Sequence, residues 1–115
     1  MTLIFKILPR SLWENAVASG VFLGASIDLT DGYIHFSTDA QVQETAAKFF
    51  AGQDDLLLVA FDATVFGDAL KWEQSRGGAL FPHLYASLPT QSALWAKPLP
   101  LGSAGHHVFP DLMET

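Results

Sequence analysis

The sequence predicts an α+β fold, with two early helices followed by four or more strands. Two observations indicate this class. The helical patterns lie in the first half of the chain and most strand patterns follow them, whereas βαβ units would alternate. The chain has 115 residues, of which 50% are hydrophobic, enough for one buried core and too few for two domains. We therefore expect a single domain over residues 1–115.

The first half of the chain contains one strand pattern and two helix patterns. Residues 2–8 are rich in β-branched and aromatic side chains, which favours a strand. Residues 11–14 have the form of a capping box and predict a helix that stops at Gly20. A second box at residues 38–41 predicts a helix closed by Gly52.

Strand patterns dominate the remaining segments. Residues 55–61 begin with an aspartate and continue as an unbroken apolar run, typical of a central strand that is covered on both faces. Residues 32–37, 70–75 and 81–87 alternate between apolar and polar, which predicts strands with one buried and one polar face. A further strand is expected at residues 93–98. The side chains expected in the core include Phe36, Leu57, Val59, Leu70 and Trp72.

Composition excludes several classes of function. Twelve acidic and six basic residues give a net charge of −6, the wrong sign for a protein that must displace counterions from nucleic acid. The absence of cysteine excludes disulfides, thiolate metal sites and a cysteine nucleophile. Residues 77–96 lack Asp, Glu, Lys and Arg but contain two prolines, so they do not predict a membrane span. We expect a cytoplasmic protein without nucleic-acid or membrane partners; the sequence leaves the oligomeric state open.

Three alternating strands each carry a polar trio. A solvated sheet face is the simplest explanation of any one trio. Two trios, however, share the composition His, Tyr and Ser, and the third contributes a carboxylate with cations beside it. If these strands are neighbours, their side chains form one polar wall that could hold a ligand. The trios are Tyr33, His35 and Ser37; Lys71, Glu73 and Ser75; and His83, Tyr85 and Ser87.

From this wall the sequence predicts candidate site residues. The catalytic candidates are Glu73, His35 and His83. Arg76 precedes two glycines, in a loop that is either an ordinary surface turn or a backbone that approaches an anion. The ligand-binding candidates are Tyr33, Ser37, Lys71, Arg76 and Tyr85. No short metal-binding motif is present, and no glycine-rich loop identifies a nucleotide cofactor.

Several blocks of the sequence together resemble a small bacterial family known as domain of unknown function 952. The most specific are Gly-Tyr-Ile-His-Phe-Ser at residues 32–37 and Phe-Pro-His-Leu-Tyr at residues 81–85. The resemblance covers nearly the whole chain. The other matching segments are residues 5–7, Trp13, Asp31, residues 41–42 and residues 71–75.

That family is similar in fold to the ADP-ribosyltransferase superfamily, and the resemblance implies an NAD-type cleft between two parts of a mainly antiparallel split sheet. His35 matches the His of a His-Phe-Ser block, and Asp62 matches the Asp that ends the hydrophobic strand. The first-strand His-Gly-Thr block of the transferases is replaced here by residues 6–8, Lys-Ile-Leu. The cofactor is therefore left open, with NAD as the one that the resemblance suggests.

Three functions remain open from the sequence. The first is an enzyme, or the relic of one, that acts on a nucleotide-like or ribosyl ligand, with Glu73 stabilising an oxocarbenium-like sugar. In that case His35 and His83 hold hydroxyls or transfer a proton, a tyrosine stacks on a base, and Lys71 and Arg76 face phosphate. The second is a metal-dependent hydrolase that uses both histidines and Glu73. The third is a non-catalytic module that binds a small ligand.

Overall fold

The computed structural model describes residues 2–112, with Arg76 described by its backbone alone. Among these residues no helix is long and apolar enough to cross a membrane. The helices are α1 (Arg10–Ser19), α2 (Ser26–Asp31) and α3 (Val42–Phe49). The strands are β1 (Leu3–Pro9), β2 (Val21–Phe22), β3 (Ile34–His35), β4 (Ser37–Thr38), β5 (Leu56–Asp62), β6 (Leu70–Gln74), β7 (Leu80–Leu84), β8 (Leu88–Pro89) and β9 (Ala93–Leu99).

The strands form antiparallel sheets, which confirms the mixed α+β class. The larger sheet has the order β4-β1-β5-β9, and a three-stranded sheet has the order β3-β7-β6. A short ladder joins β2 to β8. The chain passes from the small sheet to the large one at Phe36, between β3 and β4. The polar strands therefore lie in a different sheet from the central hydrophobic strand.

The core lies on both faces of β5, as its continuous apolar run predicted. Leu57, Val59 and Phe61 face a cluster that includes Ile34 and Leu84 of the small sheet. Leu56, Leu58 and Ala60 face a second cluster, which contains residues of α3. One face of the large sheet therefore packs on the small sheet and the other on α3.

The prediction of two early helices omitted α2. This helix has six residues, fewer than two turns, which is too short to produce a recognisable hydrophobic repeat. Its polarity is also inverted, because Asp28 is buried while Ile27 and Leu29 are exposed. Such a helix has no apolar stripe facing the core, so the hydrophobic pattern of the sequence does not predict it.

The boundaries of the two predicted helices also need correction. Helix α1 begins at Arg10, after Pro9, with no side-chain cap, so the box at residues 11–14 does not cap it. Its end at Gly20, with φ of 90°, is as predicted. In the second box the Thr38 amide donates to the Gln41 side chain at 3.0 Å, but this closes a turn and α3 begins only at Val42.

Trp72 was expected in the core and is 42% exposed. It lies on β6, the edge strand of the small sheet, where the core covers only part of the apolar face. Leu70 is partly buried against the main cluster. Phe36, Leu57 and Val59 are buried, as predicted.

Two tryptophans allow a matched test of this arrangement. Trp13→Ala removes an indole that is 6% exposed, and the resulting cavity is expected to lower the free energy of unfolding by about 3–5 kcal/mol. Trp72→Ala should cost about 1 kcal/mol, because much of its ring already contacts water. Urea unfolding followed by circular dichroism measures both. Equal losses in the two variants would show that Trp72 is buried as fully as Trp13 and would contradict its place at an exposed sheet edge.

Candidate functional site

Five of the predicted site residues meet on the polar face of the small sheet. In the strand register His35 is opposite His83, and His83 is opposite Lys71. Glu73 joins the same surface because it is two positions from Lys71 on β6, and Tyr85, which directly follows β7, reaches it through a hydrogen bond from its hydroxyl to Glu73. Tyr33, which directly precedes β3, packs its ring against three of the others. We call Tyr33, His35, Glu73, His83 and Tyr85 the polar cluster.

Tyr33 lies at the centre of the rings in this cluster. Its ring centroid is 4.6 Å from that of His35, 4.2 Å from that of His83 and 5.1 Å from that of Tyr85. The two imidazole centroids are 5.4 Å apart. These distances are those of stacked or tilted aromatic pairs. The four rings therefore form one continuous aromatic surface.

Glu73 borders the rings and is held by two donors. Its Oε1 accepts from the Tyr85 hydroxyl at 2.7 Å and from His83 Nδ1 at 2.8 Å. The hydrogen bond from Tyr85, followed by that from His83, lowers the pKa of Glu73. The same bond raises the pKa of Tyr85 to about 12. Glu73 is therefore an oriented carboxylate that stays ionised, and 41% of its side chain remains exposed.

His35 is held between two carboxylates that the sequence patterns did not indicate. Its Nδ1 lies 2.6 Å from Oδ1 of Asp28, and its Nε2 lies 2.9 Å from Oδ2 of Asp31. Both partners belong to α2, which was not predicted. Because carboxylates only accept hydrogen bonds, both contacts require an N–H of the ring.

Asp28 is the buried centre of a second network. Its carboxylate receives Lys6 Nζ at 2.9 and 3.0 Å, the Ala25 amide at 2.8 Å and the His35 amide at 3.0 Å. Burial by itself would raise the pKa of Asp28, but the hydrogen bond from His35 and the charge of Lys6 hold it at about 2. Burial likewise lowers the pKa of Lys6, and the charge of Asp28 opposes that shift.

One sequence signal could have revealed this network. Lys6 lies within an otherwise apolar strand, and a lysine buried there needs a carboxylate partner. Asp28 lies 22 positions further along the chain, so the sequence did not show which acidic residue is the partner of Lys6.

The remaining predicted residues have different positions. Lys71 shares the face of the polar cluster and is exposed. Ser37 does not join it, because the chain has crossed to the large sheet, where its buried hydroxyl bonds that of Thr45 at 2.8 Å. The side chain of Arg76 lies outside the described residues. Ser37 shows that the alternation of residues 33–37 does not extend over one sheet face.

Two other features of the described residues bear on ligand binding. A cavity of about 560 Å³ lies between α3 and the segment of residues 104–109, away from the polar cluster. Within residues 2–112 no group of three or more His, Asp or Glu side chains is arranged to hold a metal ion. His83 and Glu73 bond each other, so they do not converge with His35 on a common point.

The fold and the cluster define a small α+β protein with an aromatic, carboxylate-bordered face on a three-stranded sheet. Residues 7–96 match the family model described as "Protein of unknown function (DUF952)", and the chain belongs to that family. No curated protein matches the chain.

The chain is similar in structure to protein CC0527 from Caulobacter crescentus. The crystal structure of that protein superposes with a TM-score of 0.90 at 50% identity, over 93% of this chain and 94% of that one. The solution NMR structure of CC0527 gives 0.84 at 51% identity, over 92% and 91% of the two chains.

Asp28 makes a specific prediction for stability in acid. Its pKa in the folded state, about 2, is below its ordinary value of 3.8. A depressed carboxyl pKa stabilises the fold above the unfolded value, and that stability is lost as the pH falls through the folded value. We expect a loss of about 2 kcal/mol from Asp28 between about pH 5 and pH 2. Urea unfolding across this range tests it, and Asp28→Asn should have a correspondingly flatter profile.

The bond between Tyr85 and Glu73 makes a prediction for tyrosine ionisation. The chain has two tyrosines, so the Tyr33→Phe variant leaves Tyr85 as the single phenol. Its pKa should remain near 12 and should fall toward the ordinary value of 10 when Glu73→Gln removes the negative charge. An NMR titration of the Tyr85 ring carbons measures both. An unchanged pKa in the double variant would contradict the bond.

Proposed function

We propose that the polar cluster binds a nucleotide-like or ribosyl ligand and acts on it as an ADP-ribosyltransferase-like enzyme does, on a fold of that general type. The observation that carries the proposal is the pairing of an oriented, ionised carboxylate with a continuous aromatic surface. Glu73 is the carboxylate, and the rings of the polar cluster are the surface.

The chemistry of Glu73 supports a role in stabilising positive charge. Cleavage of an N-glycosidic bond develops positive charge on the sugar, and a fixed carboxylate nearby lowers the energy of that state. The lowered pKa of Glu73 makes it a poor proton donor at neutral pH. Among the described groups, which do not include the Arg76 side chain, its Oε2 has no hydrogen-bond partner. That atom is therefore available for a ribose hydroxyl or the anomeric carbon.

The local charge around Tyr33 supports the same role. Burial, followed by the negative charges of Asp31 and Glu73, raises the pKa of Tyr33. Two carboxylates therefore act on the central ring of the aromatic surface, which favours a cationic or electron-poor ring stacked on it. Lys71 is exposed on the same face and supplies a cation for a phosphate group. Arg76 remains a prediction of the sequence for the same task.

Binding without chemistry is the second candidate. It is favoured by the closed hydrogen bonding of His35, since both of its ring nitrogens face carboxylates of the protein itself. A histidine held in this way cannot accept a proton from a ligand. In this alternative the cluster recognises the ligand and does not cleave it.

A thermal-shift panel with NAD, ADP-ribose, nicotinamide and nucleoside phosphates tests the proposal. We expect ADP-ribose or NAD to raise the midpoint of the wild type, as binding to the folded state must. Glu73→Gln should abolish that shift without lowering the midpoint of the free protein. Glu44→Gln is the matched control, because Glu44 pairs with Lys48 on α3, and its shift should equal that of the wild type.

The outcomes separate the candidates. Release of nicotinamide from NAD, lost in Glu73→Gln, would support the enzyme. A shift without turnover would support the binding module. If no compound of the panel raises the wild-type midpoint, the proposed ligand class is wrong.

A further inference from the structure

We propose that Asp28 is a positioning residue of the polar cluster, which fixes His35 and thereby leaves His83 as the histidine that exchanges a proton with the ligand. This inference rests on the proposed function of the cluster. It adds a buried residue of α2 to a site whose other members lie on or next to the small sheet. It also gives the two histidines different roles: His35 is a fixed support, and His83 exchanges the proton.

The hydrogen bonds of Asp28 fix both the backbone and the ring of His35. A single oxygen, Oδ1, accepts from His35 Nδ1 at 2.6 Å and from the His35 amide at 3.0 Å. Asp31 holds the opposite nitrogen, Nε2, at 2.9 Å. A ring that is bonded at both nitrogens has a fixed plane and presents no free lone pair to a ligand. His35 therefore has a supporting role, because its fixed ring is the surface against which the Tyr33 ring packs.

His83 has the opposite arrangement. It donates Nδ1 to Glu73, and its Nε2 has no hydrogen-bond partner among residues 2–112. The side chain as a whole is 3% exposed. Its Nε2 nevertheless keeps some contact with solvent. Within residues 2–112, the side-chain nitrogen or oxygen that is both fully buried and without a partner is Nε1 of Trp95, not Nε2 of His83. A histidine oriented by a carboxylate through one nitrogen and free at the other is the usual form of a proton-transfer residue.

A purely structural role of Asp28 must be separated from positioning. Asp28 also neutralises the buried Lys6, so Asp28→Asn alone leaves an unpaired charge and destabilises the fold whatever the function. The double variant Lys6→Met with Asp28→Asn removes both charges and nearly preserves both shapes. Replacing a buried ion pair by apolar or neutral groups is often tolerated. The double variant should therefore recover stability and not positioning.

The test combines ring NMR and ligand binding on the full chain. In the wild type we expect nitrogen-15 spectra to show an N–H at both positions of the His35 ring and at Nδ1 of the His83 ring. In the double variant the His35 pattern should change to a single N–H while the melting midpoint stays close to that of the wild type. Affinity for ADP-ribose should fall by about tenfold or more, because the His35 ring that supports Tyr33 is no longer held in one plane before the ligand binds.

The results overturn the inference in two ways. It is wrong if the His35 ring keeps its wild-type spectrum in the double variant, or if ADP-ribose binds the refolded double variant as tightly as the wild type. Failure of the proposed function looks different, since no compound would then shift the wild type while the NMR comparison still reports whether Asp28 fixes His35. Glu44→Gln, distant from the cluster, again serves as the unaffected control.

Discussion

The buried ion pair of Lys6 and Asp28 is the constraint on which the arrangement of the protein depends. Lys6 belongs to β1 of the large sheet, and Asp28 belongs to α2, which contacts β3 of the small sheet through His35. Charges removed from water cost several kcal/mol each unless they are paired and fully hydrogen-bonded. The two sheets and α2 are consequently held in the one relative position in which Lys6, Asp28 and His35 satisfy each other.

The two carboxylates around the polar cluster are set apart by their environments. Asp28 is enclosed and receives four donor groups, so its charge stabilises the structure. Glu73 is anchored through one oxygen and is otherwise open to solvent, so its charge is available to a ligand. The same chemical group thus orients the site in one position and faces outward in the other, because burial and the number of donors differ. The protein therefore carries one carboxylate that holds the site in place, Asp28, and one that faces a ligand, Glu73.

Much of the cluster could be predicted from sequence, because strand alternation is a local property. Once residues alternate, side chains two positions apart share a face, which placed Lys71 beside Glu73 and His83 beside Tyr85. The same reasoning failed where the alternating sequence pattern continued beyond the end of a strand of the small sheet. Ser37 continues the pattern of Tyr33 and His35, yet it lies in the other sheet because the chain crosses at Phe36.

The sequence by itself determined the α+β class, the central strand β5 and the polar faces of the small sheet, since these follow from composition and short-range periodicity. Tertiary structure alone decided that α2 exists, that Asp28 and Asp31 hold His35, and that Trp72 lies at an exposed sheet edge. The reason is that α2 is stabilised by long-range ion pairing and not by an apolar stripe of its own. Which carboxylate pairs with Lys6 depends on how the two sheets pack, and local sequence patterns carry no information about contacts between residues so far apart in the chain.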